Sequence, residues 1–275
     1  MGLMEQGMPS NIEGALDVPL SHTGAGVMAA PEEALSEASV SAAKTNTEGK
    51  TGHPAPVTID PVTQAAAERL RTGRIGYRFC KRAFDIVFSL AVLVGLCWLY
   101  AIVAVAIKID DPHGPVVFKQ VRVGKDGREF QMYKFRSMVT DAETRLAQLL
   151  ERNEKTGPVF KLHDDPRVTR VGRVIRKVSL DELPQFVNVL KGDLSVVGPR
   201  PALPREVAEY TDRDRQRLQV KQGLTCFWQV QSDRDDISFE EWIDLDLAYV
   251  RECSALTDLK LIVRTVGCVL TAQGN

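Results

Sequence analysis

One stretch constrains this chain more than any other: Ile86–Ile107, twenty-two residues without a charged side chain. As a continuous α-helix it would reach ~33 Å at about 1.5 Å per residue, close to the ~30 Å hydrocarbon thickness of a bilayer. A buried core helix is the alternative, but core helices are rarely so long and so free of charge. Membrane association is therefore the expectation. Arg71, Arg74, Arg78, Lys81 and Arg82 precede the run, and Lys108, Lys119, Arg122, Lys125 and Arg128 follow it. Cationic flanks mark the cytoplasmic side. A straight span would put residues 108–275 outside, whereas a helix that enters, bends and returns suits both flanks. Such bends normally use Pro or Gly, and Gly95 is the only candidate.

The near-neutral average, a net charge of −1 over 275 residues, conceals two parts. Residues 1–70 hold three basic residues (Lys44, Lys50, Arg69) against nine acidic ones, and the first aromatic residue is Tyr77. Such a segment buries too little apolar surface to offset its ordering entropy. Residues 1–72 therefore read as a disordered tail with a short helix near Thr63–Leu70, without the basic start and compact apolar core of a secretion signal. Residues 73–110 read as a membrane-associated segment, spanning or re-entrant, and 111–275 as a compact domain. The fold class expected there is α/β, mostly helical, with a small β-hairpin or sheet. The five cysteines are scattered with no CxxC pair, as are the four histidines, so a disulfide framework and a transition-metal centre are not indicated.

Asp111-Pro-His-Gly-Pro115 reads as a turn, Val116–Phe118 as a strand, Val123–Gly127 as a hairpin turn and Glu129–Phe135 as the returning strand. Helices are expected over Asp141–Glu154, Arg173–Leu190 (broken or started around Pro184), Pro204–Val220, Phe239–Arg251 and Leu256–Leu270. The last has an apolar face suited to the core or to a membrane surface.

The densest chemistry lies in Arg176-Lys-Val-Ser-Leu-Asp-Glu-Leu-Pro-Gln185. Ser179 and Glu182 fit a capping box, a purely structural reading; Pro184 would sit awkwardly in that helix. The chemical reading is phosphoryl transfer. A carboxylate can attack phosphorus to give an acyl phosphate, a neighbouring carboxylate can hold Mg²⁺ together with substrate phosphates, and Arg176 can steady phosphate oxygens. In Val197-Gly-Pro-Arg-Pro201, two prolines stiffen the backbone of Arg200, which suits an anion or an ordinary surface loop. Lys134 and Arg136 follow a strand, where solvated charge is the default.

Taken in order, Lys81-Arg-Ala-Phe-Asp85, Asp111-Pro with Gly114-Pro115, Lys134-Phe-Arg-Ser-Met138, Ser179-Leu-Asp-Glu-Leu183, Asn188-Val-Leu-Lys-Gly-Asp193, Val197-Gly-Pro-Arg-Pro201 and Trp228-Gln-Val230 form a series. It closely resembles the bacterial sugar transferases, the monotopic polyprenyl-phosphate phosphoglycosyl transferases, over roughly residues 77–272. The resemblance implies transfer of a sugar-1-phosphate from a UDP-sugar to polyprenyl (undecaprenyl) phosphate with release of UMP. That reaction starts exopolysaccharide, O-antigen or related glycan synthesis at the cytoplasmic face of the bacterial inner membrane. It implies Asp181 as nucleophile, Glu182 as a Mg²⁺ ligand, and Arg176, Arg200, Lys134 and Asp246 around phosphate or nucleotide. The partners it implies are UDP-sugar, polyprenyl phosphate and membrane lipids, with no nucleic acid; a homo-oligomer is compatible with it. It also supplies the re-entrant hairpin, although the family's Ser-Pro bend is replaced by Gly95-Leu-Cys-Trp98. Two further departures are Gln222 in place of Pro, and Gln231-Ser-Asp-Arg234 in place of a Ser-Gly-Arg run. Two other functions fit less well: a non-catalytic membrane-tethered scaffold, which the intact Asp181-Glu182 pair disfavours, and a glycosyl transferase that releases UDP.

Overall fold

A computed structural model of the chain describes residues 59–154, 157–160, 162, 164–231 and 237–270. The tail as far as residue 58 and the Ser232–Arg234 part of the C-terminal departure lie outside the described residues.

The first element corrects the expectation that folding begins near residue 73. Helix α1, Pro61–Thr72, is longer than the short helix anticipated and packs on the core, with Ala67 and Thr63 buried. Its start is specified locally: Pro61 pre-sets the first turn, and the Asp60 carboxylate accepts from the Val62 N–H and the Thr63 hydroxyl. Asp60 also pairs with Arg251 at 2.9 Å, which fastens the helix to the C-terminal region.

The uncharged run folds as two helices, α2 (Ile75–Gly95) and α3 (Cys97–Asp110), bent by 60° at Leu96. Among the described residues no single helix is long and apolar enough to cross a membrane, but this bent pair is when taken together. The bend occurs without proline. Gly95 closes α2, and its carbonyl accepts from the Trp98 indole N–H at 3.1 Å. Ser89, one turn and a half earlier, is buried with its hydroxyl unpartnered. The outer surface of the pair is apolar and open, with Val87, Val94, Trp98, Ile102, Val105 and Ile109 all more than half exposed. Its inner face does structural work. Asp85 is buried and accepts from the Ser195 hydroxyl and the Val196 N–H; Arg82 donates to the carbonyls of Val189 and Leu190.

Strands β1 (Val117–Val123) and β2 (Glu129–Phe135) form an antiparallel hairpin in which Val117 faces Phe135 and Val123 faces Glu129. Its turn uses Asp126 and Gly127 in left-handed conformation (φ 58° and 76°), where the glycine is at no steric disadvantage. Helix α4, Ala142–Leu149, is shorter than the Asp141–Glu154 helix expected and finishes as a tight 3₁₀ turn. Helix α5, Arg170–Lys177, begins three residues before the expected start because the Thr169 hydroxyl caps the Gly172 N–H. Gly172 is required: a methyl group there would lie 1.9 Å from the Ser137 carbonyl oxygen. A 3₁₀ turn, Leu180–Glu182, leads into α6, Gln185–Lys191, which starts at Pro184 as anticipated.

Strand β3 (Ser195–Val197) pairs in parallel with β4 (Gly223–Thr225), a second small sheet that the sequence did not advertise. Between them the expected Pro204–Val220 helix breaks into α7 (Pro204–Ala208), α8 (Asp212–Arg215) and a 3₁₀ turn. The break is chemical, since Thr211 and Asp214 form a capping box that begins a new helix. Helices α9 (Phe239–Glu252) and α10 (Ala255–Leu270) complete the chain. The main core joins Val189, Leu194, Val196, Val197, Val220, Tyr249, Val250 and Leu261 with Ala67 of α1. A separate cluster of Val103, Ile107, Phe135 and Ile175 ties α3 to β2 and α5.

Candidate active site

The site forms where three local structures meet: the end of β2, the end of α5 and the 3₁₀ turn after it. Alternation along β2 aims Lys134 opposite to its neighbours Tyr133 and Phe135. Phe135 enters the core, while the Lys134 ammonium donates to Glu182 Oε1 at 2.7 Å. Helix α3 backs this junction: Tyr100 donates to the Leu183 carbonyl, and Asp110 accepts from the Val171 N–H at the start of α5.

The turn that presents Asp181 is not a capped helix start. Ser179 adopts the left-handed conformation (φ 54°, ψ 22°) and makes no side-chain cap, so the capping-box reading of Ser179 and Glu182 is excluded. A non-glycine residue in that region carries a cost of about 1–2 kcal/mol. It reverses the chain sharply after Arg176, so that Asp181 faces the arginine five residues before it.

Asp181 and Arg176 both line a cleft of about 400 Å³ with Lys134, Arg136, Ser137 and Thr140. Asp181 is 8% exposed, and burial pushes its carboxyl up to about 6, against the pull of Lys134 and with the push of Glu182. Glu182 goes the other way. Burial opposes its charge, but the Lys134 ion pair, with Arg200 and Arg122 beyond it, holds the carboxyl below its ordinary value. Two adjacent acids thus differ because one is tied to a lysine and the other is not. Arg176 is also buried, and desolvation lowers it to about 10 while Asp181 and Asp165 hold it charged. Its Nε is buried without a hydrogen-bond partner.

Arg200 stands on the far side of Glu182. It is buried, which corrects the surface-loop alternative, and its guanidinium lies over the Trp242 ring at 5.3 Å and 3.9 Å from Glu206. Asp246 differs from the other expected site residues. It is completely buried and pairs with Arg217 at 2.5 Å; Arg217 in turn donates to the Arg200 carbonyl and to the Tyr210 hydroxyl. Burial pushes Asp246 up to about 6, with Arg217 against it. No surface of Asp246 reaches the cleft, so it supports Arg200 from beneath through Arg217.

Sequence reasoning passed over three buried cations. Arg136, treated as solvated, is buried; it pairs with Asp111 at 2.7 Å and donates to the carbonyls of Asp111 and His113. Arg167 is locked to Asp165 at 2.6 Å, and Arg122 donates to Gln120 and to the Pro201 carbonyl. The Asp165-Pro-Arg167 spacing was the available signal, since a proline between opposite charges shapes a tight local pair. Among the described residues no cluster of three or more His, Cys, Asp or Glu could hold a metal. The adjacent Asp181 and Glu182 carboxylates do suit the sparse protein ligation of Mg²⁺, which commonly takes one or two carboxylates and completes its shell with substrate phosphates and water.

Comparison with known proteins extends this picture. The chain is 43% identical over 201 residues to the galactosyl transferase CpsE of Streptococcus agalactiae, covering 73% of this chain and 44% of that protein. It is 41% identical over 204 residues to the undecaprenyl-phosphate galactose phosphotransferase of Salmonella typhimurium, covering 72% and 42% respectively. The chain thus spans less than half the length of these two relatives. With the exopolysaccharide production protein ExoY of Sinorhizobium fredii it shares 36% identity over 199 residues, which is 87% of that protein. The family model for bacterial sugar transferases matches residues 76–272, a span that contains the bent helix pair, the Asp181 cleft and the Arg217–Asp246 pair, and the chain belongs to that family.

Proposed function

We propose that this protein transfers a sugar-1-phosphate from a UDP-sugar to polyprenyl (undecaprenyl) phosphate and releases UMP, as the first membrane step of a surface glycan. The observation that carries this reading is the placement of Asp181: a buried carboxylate with no lysine bound to it, in a cleft that Arg176 and Lys134 also line, with Lys134 paired to the neighbouring Glu182.

In the first half-reaction an ionised Asp181 oxygen attacks the phosphorus that bears the sugar. The P–O bond to UMP breaks, UMP leaves with the electron pair, and the phosphosugar remains on the carboxylate as an acyl phosphate. A phosphate oxygen of the lipid acceptor then attacks the same phosphorus, and the P–O bond to Asp181 breaks to restore the carboxylate. Arg176 supplies directed hydrogen bonds to the equatorial oxygens, where charge gathers in the transition state. Lys134 holds Glu182 ionised and oriented. Mg²⁺, held by Glu182 and substrate phosphates, would add charge neutralisation at the diphosphate.

The bent pair α2–α3, with its open apolar face, would enter the cytoplasmic leaflet of the bacterial inner membrane and return to the same side. That places the cleft at headgroup level, where the acceptor phosphate lies, and raises its effective concentration. The decisive assay combines membranes containing the full chain, a panel of UDP-sugars, undecaprenyl phosphate and Mg²⁺, and identifies the nucleotide released. UMP is the expected product. UDP as product, or undiminished transfer by Asp181→Asn, would overturn the mechanism; no turnover with any UDP-sugar would favour a scaffold.

A further inference from the structure

The larger of the two cavities described here, about 560 Å³, lies away from Asp181, between the end of α1, the start of α2, the β1–β2 turn and the segment leading into β4. Its walls hold six cations, Arg71, Arg78, Lys81, Arg82, Lys125 and Lys221, and one carboxylate, Asp85. That carboxylate is spent on β3, where it accepts from Ser195 and Val196. Lys81 is neutralised by Asp258 at 2.8 Å, and Arg82 is committed only to the neutral carbonyls of Val189 and Leu190. Lys125 and Lys221 have no hydrogen bond or ion pair among the described residues.

Arg71 lies 3.8 Å from Asp126 and Arg78 donates to the Arg71 carbonyl, so the uncompensated charge is concentrated on Arg78, Arg82, Lys125 and Lys221. A methyl group added at Gly192 would lie 3.5 Å from Arg82 Nη2 and 3.8 Å from Lys221 Nζ, so the two cations crowd one spot. Burial, with Arg82 and Lys125 nearby, lowers Lys221 below the ordinary lysine value against the pull of Asp85 and Asp193. The cavity is also amphipathic. Leu70, Tyr77 and Val220 line it, and Ile75 and Phe79 stand on its rim 68% and 73% exposed. Four residues after Arg82 the uncharged run begins.

We propose that this cavity binds the phosphodiester headgroup of an anionic glycerophospholipid. Its phosphate would sit between Lys221, Arg82 and Lys125, and its glycerol and first acyl carbons would lie along Ile75 and Phe79. A soluble anion uses the same cations but has no use for the exposed apolar rim. The site includes the end of α1, which lies before the family match that begins at residue 76. It rests on the interfacial location proposed above for its supply of lipid, and its test needs neither a bilayer nor transferase activity.

The full chain, purified in a non-ionic detergent, is titrated calorimetrically with dihexanoyl phosphatidylglycerol, dihexanoyl phosphatidylcholine and inorganic phosphate. Phosphatidylglycerol should bind saturably and at least about tenfold more tightly than the other two probes. Lys125→Gln/Lys221→Gln, whose side chains hold no structural bond, should weaken it by about tenfold or more, and each single substitution by roughly threefold. Equal binding of the two lipids overturns the assignment. So does phosphate binding as tightly as phosphatidylglycerol, which would mark a free-anion site, or wild-type affinity in the folded double variant.

Discussion

Asp181 and Asp246 are alike in three respects and opposite in a fourth. Both are buried, both face an arginine, and burial pushes both carboxyls up to about 6. The difference lies in what closes around them. Asp246 is sealed beneath Trp242 with Arg217 against it at 2.5 Å, and that arginine spends further donors on Tyr210 and the Arg200 carbonyl. Asp181 forms part of a cleft wall, and its arginine keeps a buried donor unpartnered. A raised carboxylate pKa therefore reports burial, and access decides whether the group is a reagent or a support.

The largest expected effect separates them directly. Asp181→Asn should reduce the proposed transfer by roughly a thousandfold or more, because the proposed nucleophile is gone. The same change should raise thermal stability. A carboxyl whose folded pKa lies above its unfolded value contributes stability that is present below pH ~4 and is lost as pH rises through about 6. At pH 7 its charge is a liability worth about 1–3 kcal/mol, and Arg176 retains Asp165 as a partner. Asp246→Asn should do the reverse and lower stability by about 3 kcal/mol, because buried Arg217 would lose its ion-pair partner and keep only the more weakly acting Glu206. Calorimetric melting of both variants checks the pair of signs, and two shifts in the same direction would break the distinction.

The contrast also explains how much the sequence could disclose. That Asp181, Glu182 and Arg176 lie together was legible because one short motif carries them, and Lys134, 48 residues before Glu182, joins them through its ion pair. Asp246 was legible as important but misplaced: its position on a regular helix gives no hint that Arg217, twenty-nine residues earlier, closes over it. The hairpin β1–β2 was readable from its turn, whereas the parallel pair β3–β4 was not. Its strands are three residues each, and their pairing depends on Gly198 and Gly223 letting two backbones approach; a methyl at Gly198 would lie 2.2 Å from the Lys221 carbonyl oxygen. The bend at Leu96 was anticipated at Gly95, but not the Trp98 indole that satisfies it.

A smaller effect tests why the two adjacent acids differ. The transfer rate of the wild type should fall as pH drops through about 6, as Asp181 takes up a proton. Lys134 pulls both carboxyls down, so Lys134→Met should move this acid limb to higher pH while reducing the plateau rate by roughly ten- to a hundredfold. The equivalent titration in an Arg217 variant should leave the acid limb in place, because Arg217 is not among the groups acting on Asp181. A pH–rate profile that does not move in Lys134→Met would remove the lysine from the site's electrostatics.

The smallest expected effect concerns the backbone under Asp181. Asp246 sits within a regular helix, whereas Asp181 follows a left-handed Ser179 with no side-chain cap to offset the conformation. Glycine adopts that region without strain, although it also widens the unfolded ensemble, so Ser179→Gly should raise stability by about 0.5 kcal/mol. Ser179→Val should lower it by about 1 kcal/mol or more, since a β-branched residue is a severe outlier there. Activity need not follow stability. Glycine frees the turn that aims the nucleophile, so kcat should fall severalfold in the more stable variant. Melting temperature and kcat moving together in Ser179→Gly would show that the turn does not position Asp181, and that its left-handed residue is only a way of reversing the chain.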